Sequence, residues 1–210
     1  MVIKNIVFDV DGTLIDTEKA YMNALLDVLN KKRGGDYTYQ EVVQLYGLPA
    51  KQGLQQMGFK DQEIPQLLKE WFATFDHYQD LVRVFPGIVN ALQTLQHYSV
   101  KLSVVTSKSQ KELAADFTPR GLMPYFDYIV TSSDTKVHKP KPDPLLKMVE
   151  ISKIPAAETL YVGDTVYDLQ CAHGAKAQFG LAGWGAHNHG QFQTIDYLFS
   201  RPTEIIDLIR

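Results

Sequence analysis

Five short apolar runs rich in β-branched residues, at 3–8, 100–105, 126–130, 159–162 and 177–182, constrain the fold more than any other feature of this chain. Each has the length of a strand, and helix-like segments at 109–117, 144–151 and 166–175 separate the later ones. Such alternation reads as repeated βα units around a parallel sheet, an α/β architecture of the Rossmann-like kind. Helix starts are marked by the Ser109-Lys-Gln-Glu112 capping box and by Asp143-Pro144, read as an N-cap with proline at the first helical position. The spacing is uneven in one place, because residues 9–99 separate the first run from the second. Within that gap Ile64, Leu67, Leu68, Trp71, Phe72, Phe75 and Tyr78 recur at the spacing of one helix face, as do Tyr21, Leu25, Val28 and Leu29. Gly47 and Gly58 read as helix stops. The expectation is a core made of residues 1–16 and 83–210 with a small helical domain, 17–82, inserted between its first two strands. Its apolar stripe reads as that domain's own core.

Bulk properties narrow the function. With 45% hydrophobic residues in 210, the chain can bury roughly 70% of the surface it exposes when unfolded. A formal net charge of −3 offers no basic field for nucleic acid or an anionic membrane, so neither partner is expected. A single cysteine, Cys171, permits no internal disulfide and suits a reducing, cytoplasmic setting. It falls within a helical segment and reads as packed. The apolar N-terminus is interrupted by Lys4, Asn5 and Asp9, as a buried strand would be and a signal peptide would not.

Ligands of open parallel sheets bind beyond the carboxyl ends of the strands, where this chain concentrates its polar residues. The first run ends in Asp9-Val10-Asp11-Gly12-Thr13, the second in Thr106-Ser107-Lys108 ahead of the capping box. The third leads to His138-Lys139-Pro140-Lys141-Pro142-Asp143, and the fourth ends in Gly163-Asp164-Thr165-Val166-Tyr167-Asp168. Carboxylate oxygens with a lysine and a hydroxyl suit Mg²⁺ together with a phosphoryl group. Each motif also has a plainer reading. Asp9 and Asp11 resemble the start of a calcium loop, but Gly12 comes two places early and the twelfth position would be Ala20. Thr106 and Ser107 could simply begin a helix, Lys139 and Lys141 could both be solvated, and Thr165 with Asp168 forms a capping box that could serve only its helix. His187 and His189, beside Trp184 and Gly185, are not read as a metal site.

Taken in order, Asp9-Val-Asp11-Gly-Thr13, Thr106, Lys139-Pro-Lys-Pro-Asp143 and Gly163-Asp164 through Asp168 resemble the four motifs of the haloacid dehalogenase superfamily. The branch it most resembles is phosphoglycolate phosphatase-like and β-phosphoglucomutase-like, with a helical cap between the first and second motifs. That resemblance implies a Mg²⁺-dependent phosphatase acting on a small phosphorylated metabolite through an aspartyl phosphate. It makes Asp9 the nucleophile and a metal ligand, and Asp11 the general acid/base whose backbone carbonyl also faces the metal. Asp164 completes the metal site, while Thr106 and Lys139 hold the phosphoryl group with Asp11, Gly12 and Ser107. Asp168 would act through a water or a contact behind the ligands.

Asp11 argues against carbon–halogen cleavage, which has no leaving alkoxide to protonate. No lysine of the insert, among Lys19, Lys51, Lys60 and Lys69, has the setting of a Schiff base. Sugar phosphomutases of the superfamily often carry Glu-Asp where Gly163-Asp164 stands, and an arginine where Ala50 aligns. A sugar phosphomutase, a pyrophosphatase and an inactive binding module are the alternatives to the phosphatase. Substrate choice is expected in the cap, at the loop bearing Tyr46, Lys51 and Gln52, with cap closure excluding water. A monomer or weak homodimer is expected.

Overall fold

In the computed structural model, which describes residues 2–33, 35–187, 190 and 192–209, the chain divides into two units, Met1–Ile15 with Val84–Arg210, and Asp16–Arg83. The first unit is built on a six-stranded sheet. Its strands are β1 (Asn5–Phe8), β4 (Lys101–Val105), β5 (Tyr128–Val130), β6 (Thr159–Gly163), β7 (Gln178–Ala182) and β8 (Tyr197–Phe199). They lie in the order β5-β4-β1-β6-β7-β8, every pair parallel. Two short strands, β2 (Ile15–Asp16) and β3 (Arg83–Val84), pair where the chain leaves and re-enters this unit.

The helices of this unit are α5 (Ile88–Leu95), α6 (Gln110–Glu112), α7 (Asp143–Ser152) and α8 (Val166–Gly174). Helix α5, an element additional to the expected ones, buries Ile88, Ala91, Leu92 and Leu95, the spacing of one helix face. The core between sheet and helices joins Val7, Val105, Tyr161 and Phe179 to Leu145, Met148, Cys171 and Ala172. Each fully buried aliphatic or aromatic side chain there contributes roughly 1.5–3 kcal/mol relative to exposure. Burial also pushes the Cys171 thiol up to about 12, so it is a packed side chain rather than a reactive one.

Two local expectations are corrected, and one strand is added. Helix α7 begins at Asp143 itself, with Pro142 in the cap position, and the Asp143 side chain makes no capping bond. The helix expected over 109–117 holds regular geometry only through α6, then widens over Leu113–Phe117, where the Thr118 N–H reaches the Leu113 carbonyl five residues back. Pro119 follows, and it lacks the N–H that a regular helix would need there. Strand β8 was missed because a three-residue strand after a long irregular segment shows no readable alternation.

In the second unit α1 (Glu18–Arg33), α2 (Tyr39–Val43), α3 (Ala50–Gln56) and α4 (Ile64–Phe75) enclose a separate core. Helix α4 buries Ile64, Leu67, Trp71 and Phe75, whereas Phe72 of the anticipated stripe is 39% exposed. Against it, α1 buries Leu25, Val28 and Leu29. The Tyr21 ring stacks on Phe75 at 4.2 Å between centroids, and the Trp71 indole donates to the Tyr21 carbonyl at 2.8 Å. Gly47 and Gly58, at φ 83° and 84°, turn the chain between helices. No helix among the described residues is long and apolar enough to cross a membrane.

Candidate active site

Strand register puts the site together. Phe8 of β1 pairs with Val104 of β4 on one side and Val162 of β6 on the other, so these strands end within about a residue of one level. The chain order also reverses about β1, which opens a crevice at their carboxyl ends. Asp9, Thr106 and Asp164 therefore emerge side by side. The backbone keeps them there, since Asp9 N–H donates to the Val162 carbonyl at 2.9 Å and Thr106 N–H to that of Val130 at 3.0 Å.

The carboxylates of Asp9, Asp164 and Asp168 are buried, each with an oxygen within 4.8 Å of the others. Lys139 is set among them, its ammonium 3.0 Å from Asp9 Oδ1 and 2.6 Å from Asp168 Oδ1. One lysine does not balance three acids. Burial pushes the Asp9 carboxyl up to about 7; Lys139 opposes the rise, and Asp168 and Asp11 add to it. Burial likewise holds Asp164 well above the usual carboxylate range, reinforced by Asp168 and Asp9. For Lys139, burial favours the neutral amine, yet Asp168 and Asp9 overcome it and the group is held firmly protonated. Three hard oxygen donors in a buried, over-acidic pocket fit a divalent cation such as Mg²⁺, which would supply the missing positive charge. Asp9, Asp164 and Asp168 are the side chains that would hold it.

Asp168 both caps its helix and serves the cluster. Its Oδ2 accepts from Thr165 N–H at 3.0 Å and from the Thr165 hydroxyl at 2.6 Å, while Oδ1 faces Lys139 and lies 3.1 Å from the Tyr161 hydroxyl. Its carboxylate thus lies within 4.8 Å of those of Asp9 and Asp164 while both its oxygens are engaged by Lys139, Tyr161 and Thr165. Asp11 points elsewhere, with Oδ1 3.0 Å from the Lys108 ammonium and a side chain 28% exposed. The Thr106 hydroxyl accepts from Lys108 N–H at 3.1 Å, and Ser107 is exposed beside it.

Two glycines make the close approach possible. Gly12 has φ 73°, and a Cβ built there would stand 2.5 Å from Asp164 Cγ. One on Gly163 would stand 2.5 Å from Asp168 Cβ. A third, Gly185, lies against the Gly12 main chain, with its hypothetical Cβ 2.8 Å from Gly12 C. Its neighbour Trp184 donates its indole N–H to the Thr13 carbonyl at 2.9 Å, so the loop that includes His187 braces the Asp9 turn. His189 lies outside the described residues.

Four further residues of this region carry no motif role of their own. Thr13 donates its hydroxyl to Asp164 Oδ1 at 3.0 Å in a fully buried contact. Tyr161 lies beneath Lys139, whose ammonium is 5.7 Å from the ring centre. Lys108 is 4% exposed and also pairs with Asp116 at 2.5 Å. Asp116 was detectable as an acid on the apolar face carrying Leu113 and Phe117. By contrast, Tyr46, Lys51 and Gln52 belong to the other unit, where Tyr46 Oη lies 3.1 Å from Thr17 Oγ1 and Lys51 pairs with Asp61 at 3.4 Å across exposed surface.

Residues 6–182 match the model of the haloacid dehalogenase-like hydrolase family. Among curated relatives, a protein of Caldanaerobacter subterraneus subsp. tengcongensis provisionally named pyrophosphatase PpaX is 34% identical over 190 residues, covering 88% of this chain and 83% of its own. Pyrophosphatase PpaX of Halalkalibacterium halodurans is 25% identical across 100% of this chain and 98% of its own. Among solved structures, a protein of Lactobacillus plantarum provisionally named phosphoglycolate phosphatase superposes with a TM-score of 0.92 at 27% identity, over 99% of this chain and 100% of that one. The match takes in strands β1 and β4 to β7, the Asp9 turn and the Asp164 turn alike, and the chain belongs to the haloacid dehalogenase-like hydrolase family.

Proposed function

We propose that this protein is a Mg²⁺-dependent phosphatase that hydrolyses a small phosphorylated metabolite through an aspartyl phosphate on Asp9. The observation that carries this reading is the buried cluster of Asp9, Asp164 and Asp168 with Lys139 among them, at the ends of parallel strands and beside the partly exposed Asp11. When bound, Mg²⁺ supplies the positive charge that lets a phosphoryl dianion approach these carboxylates. Asp9 attacks phosphorus, forming an Oδ–P bond as the bond to the leaving oxygen breaks, and that oxygen takes a proton from Asp11. Asp11, now a carboxylate, removes a proton from water as the water oxygen bonds to phosphorus and the Asp9–phosphorus bond breaks. Lys139, Thr106 and the backbone N–H groups following Asp9 and Thr106 are assigned to the phosphoryl oxygens, where charge develops.

Gly163 supports water over a second sugar as acceptor, since any side chain there runs into Asp168. A second reading, hydrolysis of the phosphoanhydride of inorganic pyrophosphate, is favoured by the names of the two relatives. The same residues would perform it, with phosphate in place of an alkoxide. Selection of the leaving group is assigned to Tyr46, Lys51 and Gln52. Phosphate release from p-nitrophenyl phosphate, a panel of small phosphomonoesters and pyrophosphate, each with Mg²⁺ and with chelator, tests the proposal. Metal-dependent hydrolysis of monoesters supports the phosphatase, and hydrolysis of pyrophosphate alone supports the second reading. Turnover that survives chelation, or none on any compound, contradicts both.

A further inference from the structure

Lys108 is a lysine in an unusual place. It sits at the edge of the site but is 4% exposed, so its ammonium is beyond the reach of a substrate. Its charge is spent on two carboxylates, Asp116 at 2.5 Å and Asp11 at 3.0 Å. Asp116 is itself 1% exposed and comes from the widened turn at Leu113–Phe117, an irregularity frequent at functional sites. The main chain of Lys108 is tied at both ends, its N–H to Thr106 Oγ1 at 3.1 Å and its carbonyl to Ser132 N–H at 2.9 Å. A buried ion pair is a weak source of stability, because removing two charges from water offsets most of their attraction. Here the arrangement joins a fixed backbone, a fixed ammonium and one carboxylate, Asp11, that still faces solvent.

We propose that Lys108, anchored by Asp116, is the positioning residue for Asp11, holding its carboxyl group at the rim where the leaving oxygen departs. The inference rests on the role of Asp11 as general acid. Asp11 Oδ1 is held 3.0 Å from an ammonium whose own place is fixed, so the acid is aimed before the leaving group reaches it. Asp116 keeps that ammonium from swinging away. The effect falls on the step in which the leaving group departs, so it depends on how much the leaving group needs a proton.

The test compares kcat/KM for p-nitrophenyl phosphate, whose leaving group departs without a proton, with that for phenyl phosphate, whose poorer leaving group requires one. kcat/KM reports phosphoryl transfer to Asp9 and is insensitive to later hydrolysis of the intermediate. Asp11→Asn serves as reference and should raise the ratio of the two values by about tenfold or more. Lys108→Met is expected to raise it in the same direction by about tenfold, and Asp116→Asn by less. Because Lys108→Met leaves the Asp116 carboxylate buried and unpaired, the double variant Lys108→Met/Asp116→Leu, which removes both charges, is measured alongside with thermal melts of each. If Asp11→Asn raises the ratio while every folded variant of Lys108 and Asp116 leaves it unchanged, or loses both substrates equally, the inference is overturned. If Asp11→Asn itself leaves the ratio unchanged, the acid role of Asp11 fails instead.

Discussion

A Cβ on Gly12 would stand 2.5 Å from Cγ of Asp164, so the turn after Asp9 and the carboxylate at the end of the neighbouring strand share a space that only glycine leaves open. With φ at 73°, the position also disfavours any other residue by its backbone. Gly12→Ala is expected to displace Asp164 and lower kcat/KM about 100-fold, the scale of a displacement near 1 Å in a reacting site. Steady-state kinetics at saturating Mg²⁺ would check this; a variant within twofold of wild type would refute it.

Thr13 acts on the same carboxylate from the other side, through the 3.0 Å hydroxyl contact to Asp164 Oδ1. Thr13→Val keeps the shape and removes that donor. Mg²⁺ affinity, measured by calorimetric titration in the absence of substrate, should weaken about 10- to 100-fold. Unchanged affinity would mean that Asp164 needs no support from Thr13.

A Cβ built on Gly185 would meet the Gly12 backbone first, 2.8 Å from its carbonyl carbon, ahead of the Phe85 ring at 3.2 Å. No rotamer change can relieve that clash, so Gly185→Ala should destabilise the chain by about 1–3 kcal/mol. Denaturant unfolding provides the measurement, and wild-type stability would contradict the brace assigned to this loop.

Burial pushes the Asp116 carboxyl up to about 6, with Lys108 opposing the rise and Asp11 adding to it. In an unfolded chain an aspartate titrates near about 3.9. Between these values the folded chain holds a proton that the unfolded chain has released. The stability contributed by Asp116 is therefore fully present below about pH 4 and declines as pH rises through about 6. Unfolding free energies of wild type and Asp116→Asn across that window isolate it. The wild type should lose ground relative to the variant as pH rises and level off above the window; a difference that is flat or grows would be the contrary result.

Much of this was legible because parallel strands are buried on both faces and read as continuous apolar runs, so the polar residue ending each run marks the rim directly. Asp9, Thr106 and Asp164 were found in that way. Thr165 with Asp168 is ambiguous in sequence because the capping and site readings share one carboxylate, whose Oδ2 lies on Thr165 and whose Oδ1 lies on Lys139. Lys108 and Asp116 were not legible as a pair, since their meeting depends on a helix that widens after three residues. Strand β8 stayed hidden because three residues are too few to display a period.

In the proposed mechanism Asp9 carries the phosphoryl group during turnover. Acid-quenching the protein within its first turnovers of p-nitrophenyl phosphate with Mg²⁺, followed by mass analysis of its peptides, tests it directly. One phosphoryl group is expected on the peptide containing Asp9, labile to hydroxylamine and absent from Asp9→Asn and from chelated samples. Turnover with no labelled peptide, or a label that persists in Asp9→Asn, would contradict it.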